Sequence, residues 1–111
     1  MNLNIAISYG GRWDIVQAIK EISKDLSKKK IKEKNINEDL LSSYLDTSNF
    51  PDPDLVIRTG NEKRLSNFLI WQAAYSELIF LKKLWPDFKN TDFKRALDEY
   101  KRRKRNFGLR S

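Results

Sequence analysis

The apolar positions of this chain change their period several times, and each change marks an element. Residues 3–8, LNIAIS, form a nearly continuous apolar run closed by Gly10 and Gly11, the pattern of a short buried parallel strand ended by a glycine turn. Ile15, Ile19, Ile22 and Leu26 then recur at helical spacing, with Val16 widening the stripe, and predict an amphipathic helix over residues 13–29 that covers a sheet. The stripe dissolves into KKKIKEK, a solvated link. Asn37 can cap a second helix reaching about Leu45, with Glu38 and Asp39 in its first turn and Ile36 able to staple against Leu41. Pro51 and Pro53 stop it, because each biases the residue before it away from helix.

The second half repeats the alternation. DLVIR predicts a buried strand over residues 54–58, and Phe68, Leu69, Gln72 and Tyr75 share one side of a predicted third helix over 66–76. ELIFL reads as a third strand. In the following WPDF turn, Trp85 and Phe88 are expected to pin a final helix, capped by Thr91, striped by Phe93, Ala96, Leu97 and Tyr100, and ending near Arg105. Strand, helix, helix, strand, helix, strand, helix is an α/β order with a mainly parallel sheet flanked by helices. Three strands are few for such a sheet and leave apolar edges open. The chain is therefore expected to be a single partial domain, completed by a larger fold or by another chain.

Composition narrows the chemistry. The 111 residues include no cysteine and no histidine, so thiolate, imidazole and Cys/His zinc chemistry are excluded. Of the +7 formal charge, six cations (Lys101, Arg102, Arg103, Lys104, Arg105 and Arg110) fall in the last eleven residues without an acid among them. The remaining hundred residues carry only +1. Charge so concentrated is unlike a nucleic-acid-binding face and reads as a solvated helix end, with peripheral contact to an anionic membrane surface or contact to another polyanion as the alternative. No apolar stretch is long enough to span a bilayer and no signal-peptide pattern opens the chain, which gives the cytoplasm as the expected location.

Ligands of open parallel sheets bind beyond the carboxyl ends of the strands. Arg58 ends its strand there, Gly60 and Asn61 supply a tight loop, Arg64 returns toward the same rim, and Ser66-Asn67 opens the next predicted helix. Two guanidinium groups, a hydroxyl and free backbone N–H groups suit a phosphate or diphosphate. The competing reading pairs Arg58 and Arg64 with Glu62 and other acids and leaves Ser66 as a plain cap. Glu77 opens an apolar strand, where a carboxylate has no packing reason to be. It could be one oxygen ligand of a Mg²⁺ ion beside phosphates, or the partner of a local arginine.

LNIAISYGGRWDIVQAI, PDPDLVIRTGNEKRLSNFLIWQAAYSELIF, LWPDF and RNFG together resemble the C-terminal half of the cis-prenyltransferases, the family of bacterial undecaprenyl diphosphate synthase. The resemblance covers nearly the whole chain and is weakest over residues 27–50. It implies an enzyme that transfers an allylic prenyl group, such as that of farnesyl diphosphate, to isopentenyl diphosphate to build a polyprenyl lipid carrier for cell-wall glycans. By the same resemblance Arg58, Arg64, Leu65 and Ser66 would hold isopentenyl diphosphate, and Glu77 would help to bind Mg²⁺. The family's N-terminal segment, with its Mg²⁺-binding aspartate and most of the prenyl tunnel, has no counterpart here. The YGGRW of residues 9–13 only imitates its signature, and no catalytic role passes to Gly11 or Arg12. Asn61 replaces a common glycine, and Asn106 stands where an arginine often precedes FG. The chain is thus expected to act as a homodimer or with a complementing N-terminal half. The alternative is a non-catalytic partner or remnant of such an enzyme.

Overall fold

The computed structural model describes residues 3–110, with side chains through Lys104. It comprises helix α1 (Gly11–Ser27), helix α2 (Glu38–Tyr44), strands β1 (Leu55–Arg58) and β2 (Glu77–Phe80), and helix α3 (Asn90–Arg110). Two compact units divide the chain. One contains the residues up to Asp52 together with Ser66–Trp71, and the other contains Pro53–Leu65 and the residues from Gln72 onward.

In the first unit α1 begins two residues earlier than its apolar stripe requires, and Ala18 and Ile22 form its buried face. Gly10 at its N-cap has no side chain to offer the free N–H groups. Asn67 does this from far along the chain: its carbonyl oxygen accepts from Gly11 N at 2.7 Å and its Oδ1 from Arg12 N at 2.9 Å. A Cβ on Gly11 would lie 3.0 Å from that carbonyl, so the double glycine permits the close approach. Asp14, 2 % exposed in the first turn of α1, accepts from Tyr9 Oη at 3.2 Å and from Asp46 N at 3.1 Å. Asn37 caps α2 as expected, accepting from Leu40 N at 2.8 Å. Tyr44 donates to Asp25, which raises the phenol pKa, and Trp71 donates to Ser42 at 2.9 Å.

In the second unit β1 and β2 pair in parallel, Leu55 opposite Glu77 and Arg58 opposite Phe80. Ile79, Ala73 and Ala96 form its buried centre. The first turn of α3 is tied by Asp92, which accepts from Lys89 N at 3.0 Å and from Lys83 Nζ at 3.1 Å.

Four expectations are corrected. Residues 3–8 form no strand: Leu3, Ile5 and Ile7 are exposed, and the described sheet has two strands. A strand exists only through its ladder, and an apolar run does not specify a partner. Residues 66–76 form turns rather than a helix, because Ser66, Asn67 and Leu69 have φ of 50°, 67° and 48°. Left-handed backbone breaks the i to i−4 ladder, and the polar atoms of Asn67 are already given to α1. Helix α3 begins at Asn90, one residue before the expected Thr91 cap, with Asp92 supplying the capping bond. Trp85 stacks on Phe88 with centroids 5.4 Å apart but is 71 % exposed, so it does not pin α3 to a core. The side chains of the terminal RNFG lie outside the described residues.

Candidate functional site

Arg58 occupies the carboxyl end of β1, where the preceding apolar residues Leu55, Val56 and Ile57 are half-buried. The chain then turns through Gly60, φ 95°, and Asn61, φ 61°. Asparagine tolerates this left-handed conformation better than most side chains, which explains how the loop keeps its shape without a second glycine. Gly60 N donates to Lys83 O at 2.9 Å, Asn61 N to Leu81 O at 3.0 Å, and Leu81 N to Arg58 O at 2.8 Å, fixing the loop to the residues that follow β2.

The Arg58 guanidinium folds over this loop. Nη2 binds the Glu62 carboxylate and Nη1 the Arg64 carbonyl. Arg58 is about a quarter exposed and Glu62 about half. The pairing with Glu62 was one of the two readings open from sequence, and for Arg58 it is the arrangement present. The Arg64 guanidinium is exposed and makes no hydrogen bond or ion pair among the described residues. Leu65 follows it, half-buried. The loop therefore offers one guanidinium held by a displaceable carboxylate and another open to solvent. An entering phosphate can exchange with Glu62 for Arg58 while meeting Arg64 directly.

Ser66 belongs to the other unit, exposed and in left-handed backbone, one residue before the Asn67 that ties this segment to α1. It opens a turn, so the expected helix N-terminus with free N–H groups is not formed there.

Glu77 lies elsewhere on the sheet. It is opposite Leu55 at the start of β2, three ladder positions from the Arg58–Phe80 pair, roughly 10 Å along the strands. Strand alternation also places it on the opposite face from Arg58. Its Oε2 accepts from Arg103 Nη1 at 3.4 Å, and the side chain is 42 % exposed. Arg103 also donates to Leu78 O at 2.8 Å and to Glu99 Oε1 at 3.0 Å. Arg102 grips Glu99 as well, and hydrogen bonds from Arg102 and then Arg103 hold the Glu99 carboxyl at about 2, far below its usual value. No group of three potential metal ligands occurs among the described residues. Glu77 therefore fits a magnesium ion as one ligand only, through its second oxygen, the other positions falling to phosphates, water or other carboxylates. Along the sequence Arg103 belongs to a solvated tail and Asn67 to a helix start. Neither contact has a local sequence signal, since each joins residues at least 26 positions apart.

A family model described as an undecaprenyl diphosphate synthase matches residues 1–108. The chain belongs to the undecaprenyl diphosphate synthase family. Members of this family are prenyltransferases. The chain is 53 % identical over 105 residues to the geranylgeranyl-diphosphate-specific tritrans,polycis-undecaprenyl-diphosphate synthase of Picrophilus torridus, covering 95 % of this chain and 41 % of that protein. It is 52 % identical over 108 residues to the (2E,6E)-farnesyl-diphosphate-specific ditrans,polycis-undecaprenyl-diphosphate synthase of Blochmanniella floridana, covering 97 % and 43 %. Lavandulyl diphosphate synthase from Lavandula x intermedia, solved with dimethylallyl diphosphate, superposes with a TM-score of 0.82 at 41 % identity over 86 % of this chain and 41 % of that one. A probable undecaprenyl diphosphate synthase from Campylobacter jejuni gives 0.73 at 43 % identity, over 93 % and 45 %. The chain thus spans about two-fifths of the length of these relatives, and its α/β fold is that of the undecaprenyl diphosphate synthase family.

Proposed function

We propose that this chain supplies the isopentenyl diphosphate portion of a cis-prenyltransferase active site, condensing isopentenyl diphosphate with an allylic diphosphate to lengthen a polyprenyl diphosphate. The single observation that carries this reading is the Arg58–Arg64 loop: a guanidinium at the carboxyl end of a parallel strand, held by an exchangeable carboxylate, with the exposed guanidinium of Arg64 in the same loop making no bond among the described residues. The relatives add support. Synthases specific for geranylgeranyl and for farnesyl diphosphate match nearly the whole of this chain almost equally, at 53 % and 52 % identity. A stretch that is equally similar to enzymes with different allylic substrates suits the substrate they share.

In this proposal Arg58 and Arg64 neutralise and orient the diphosphate of isopentenyl diphosphate, and Leu65 lines the approach. Holding the diphosphate fixes the attacking double bond relative to the allylic carbon, the positional advantage on which such a transfer depends. Glu77 contributes one oxygen to Mg²⁺. When bound, that ion supplies charge stabilisation to a departing diphosphate. With roughly 10 Å between them along the sheet, Arg58 and Glu77 would carry separate tasks in the reaction.

The test is Mg²⁺-dependent incorporation of labelled isopentenyl diphosphate with farnesyl diphosphate, for this chain alone and mixed with a family N-terminal half. Incorporation that Arg64→Ala and Glu77→Ala each abolish supports the proposal. A folded chain that stays silent in both settings, while binding a complete synthase, favours the non-catalytic partner instead.

A further inference from the structure

We infer that Arg103 is a positioning residue for Glu77, holding one carboxylate oxygen so that the other is presented to a divalent cation. The inference rests on the Glu77 role proposed above.

Three contacts define the geometry. Arg103 Nη1 donates both to Glu77 Oε2, at 3.4 Å, and to the Leu78 carbonyl, at 2.8 Å, while Nε donates to Glu99 Oε1 at 3.0 Å. Glu99 lies four residues earlier on the same helix, so its bond sets the direction of the guanidinium. The Leu78 carbonyl belongs to the residue after Glu77, so that bond fixes the guanidinium against the backbone of β2. Between these two anchors Nη1 can meet only one edge of the Glu77 carboxylate. Oε1 has no protein partner among the described residues.

A lone glutamate at a strand start would otherwise sample several rotamers and lose entropy on meeting a cation. A fork held at both sides removes much of that freedom. Carboxylates that ligate metals are commonly oriented by such outer hydrogen bonds, and removing the partner costs about 10–100-fold in metal affinity. A lysine cannot reproduce the arrangement, since a single ammonium at the end of a flexible stem cannot span Glu99 and Leu78 while holding Glu77.

The experiment measures Mn²⁺ affinity by water-proton relaxation in the presence of inorganic diphosphate, on the full chain and its variants, with diphosphate affinity in metal-free buffer and thermal midpoint recorded alongside. Arg103→Gln is expected to weaken Mn²⁺ binding roughly 10-fold or more and to leave metal-free diphosphate binding unchanged; Arg103→Lys should recover part of the loss. Glu99→Gln, which keeps Arg103 but releases its guanidinium, should weaken Mn²⁺ binding less than Arg103→Gln does. Wild-type Mn²⁺ affinity in folded Arg103→Gln, with Glu77→Ala impaired, overturns the positioning role alone. Unchanged binding in Glu77→Ala overturns the Glu77 assignment, and the Arg103 inference falls with it. If Arg103→Gln does not fold, Glu99→Gln decides by the same readout: normal Mn²⁺ affinity there overturns the inference.

Discussion

The close approach of residues 67–70 to the start of α1 makes Gly11→Ala a discriminating substitution, because helix propensity and packing predict opposite signs. Alanine is preferred over glycine inside a helix by about 1 kcal/mol, so propensity alone predicts stabilisation. The structure opposes this. A Cβ at Gly11 would lie 2.8 Å from Ile70 Cγ1, 3.0 Å from Asn67 O and 3.3 Å from Ile70 N. The isoleucine methylene can yield, but the other two atoms are backbone. Overpacking of this kind costs about 1–3 kcal/mol. Pushing Asn67 away also weakens the 2.7 Å bond from Gly11 N, worth about 1 kcal/mol. The net expectation is a loss of about 1–3 kcal/mol after the propensity gain is subtracted. Urea unfolding followed by tryptophan fluorescence would measure it, with Trp13 on α1 and Trp71 bonded to Ser42 as reporters. Gly10→Ala is the internal control. Its Cβ would meet a side-chain atom, Asn67 Nδ2, at 3.2 Å rather than backbone, and its φ of −134° suits any residue, so it should cost less than Gly11→Ala. A Gly11→Ala chain as stable as wild type, or more so, refutes the packing argument.

Three further outcomes are expected. Asp14→Ala should destabilise the first unit by about 1–3 kcal/mol, since it removes the buried, charged acceptor of the Asp46 N–H and Tyr9 hydroxyl bonds; an unchanged urea midpoint would contradict this. Arg64→Ala should leave the unfolding midpoint within about 0.5 kcal/mol of wild type while weakening inorganic diphosphate binding, whereas Arg58→Ala should lower both, and calorimetry beside denaturation separates the two. Glu99 has a folded pKa of about 2, depressed from 4.5, so its contribution is fully present above the unfolded value and is lost as pH falls through about 2. Asp92 is shifted the same way by the Lys89 N–H and then Lys83, so circular dichroism should show α3 loosening as pH falls below about 4.5, less steeply in Glu99→Gln.

What the sequence determined by itself were the features with a local physical cause. The stripe Ile15, Ile19, Ile22, Leu26 specifies α1 because side chains four apart share one helical face, and Asn37 caps α2 through a bond three residues away. The apolar runs ending at Arg58 and starting at Glu77 became strands, and the Gly60-Asn61 loop took the left-handed turn its residues favour. Tertiary structure decided what required a distant partner. Residues 3–8 have strand character but no ladder, and residues 66–71 have helical spacing, but Asn67 among them gives its polar atoms to α1. The sequence spacing that put Arg58 and Glu77 in one reading says nothing about ladder register, which sets them at opposite ends of the paired strands. Arg103 belongs to a charged tail when read along the chain, yet in the fold it joins α3 to the start of β2. Periodicity reports which face a residue occupies; only the packed backbone decides what that face meets.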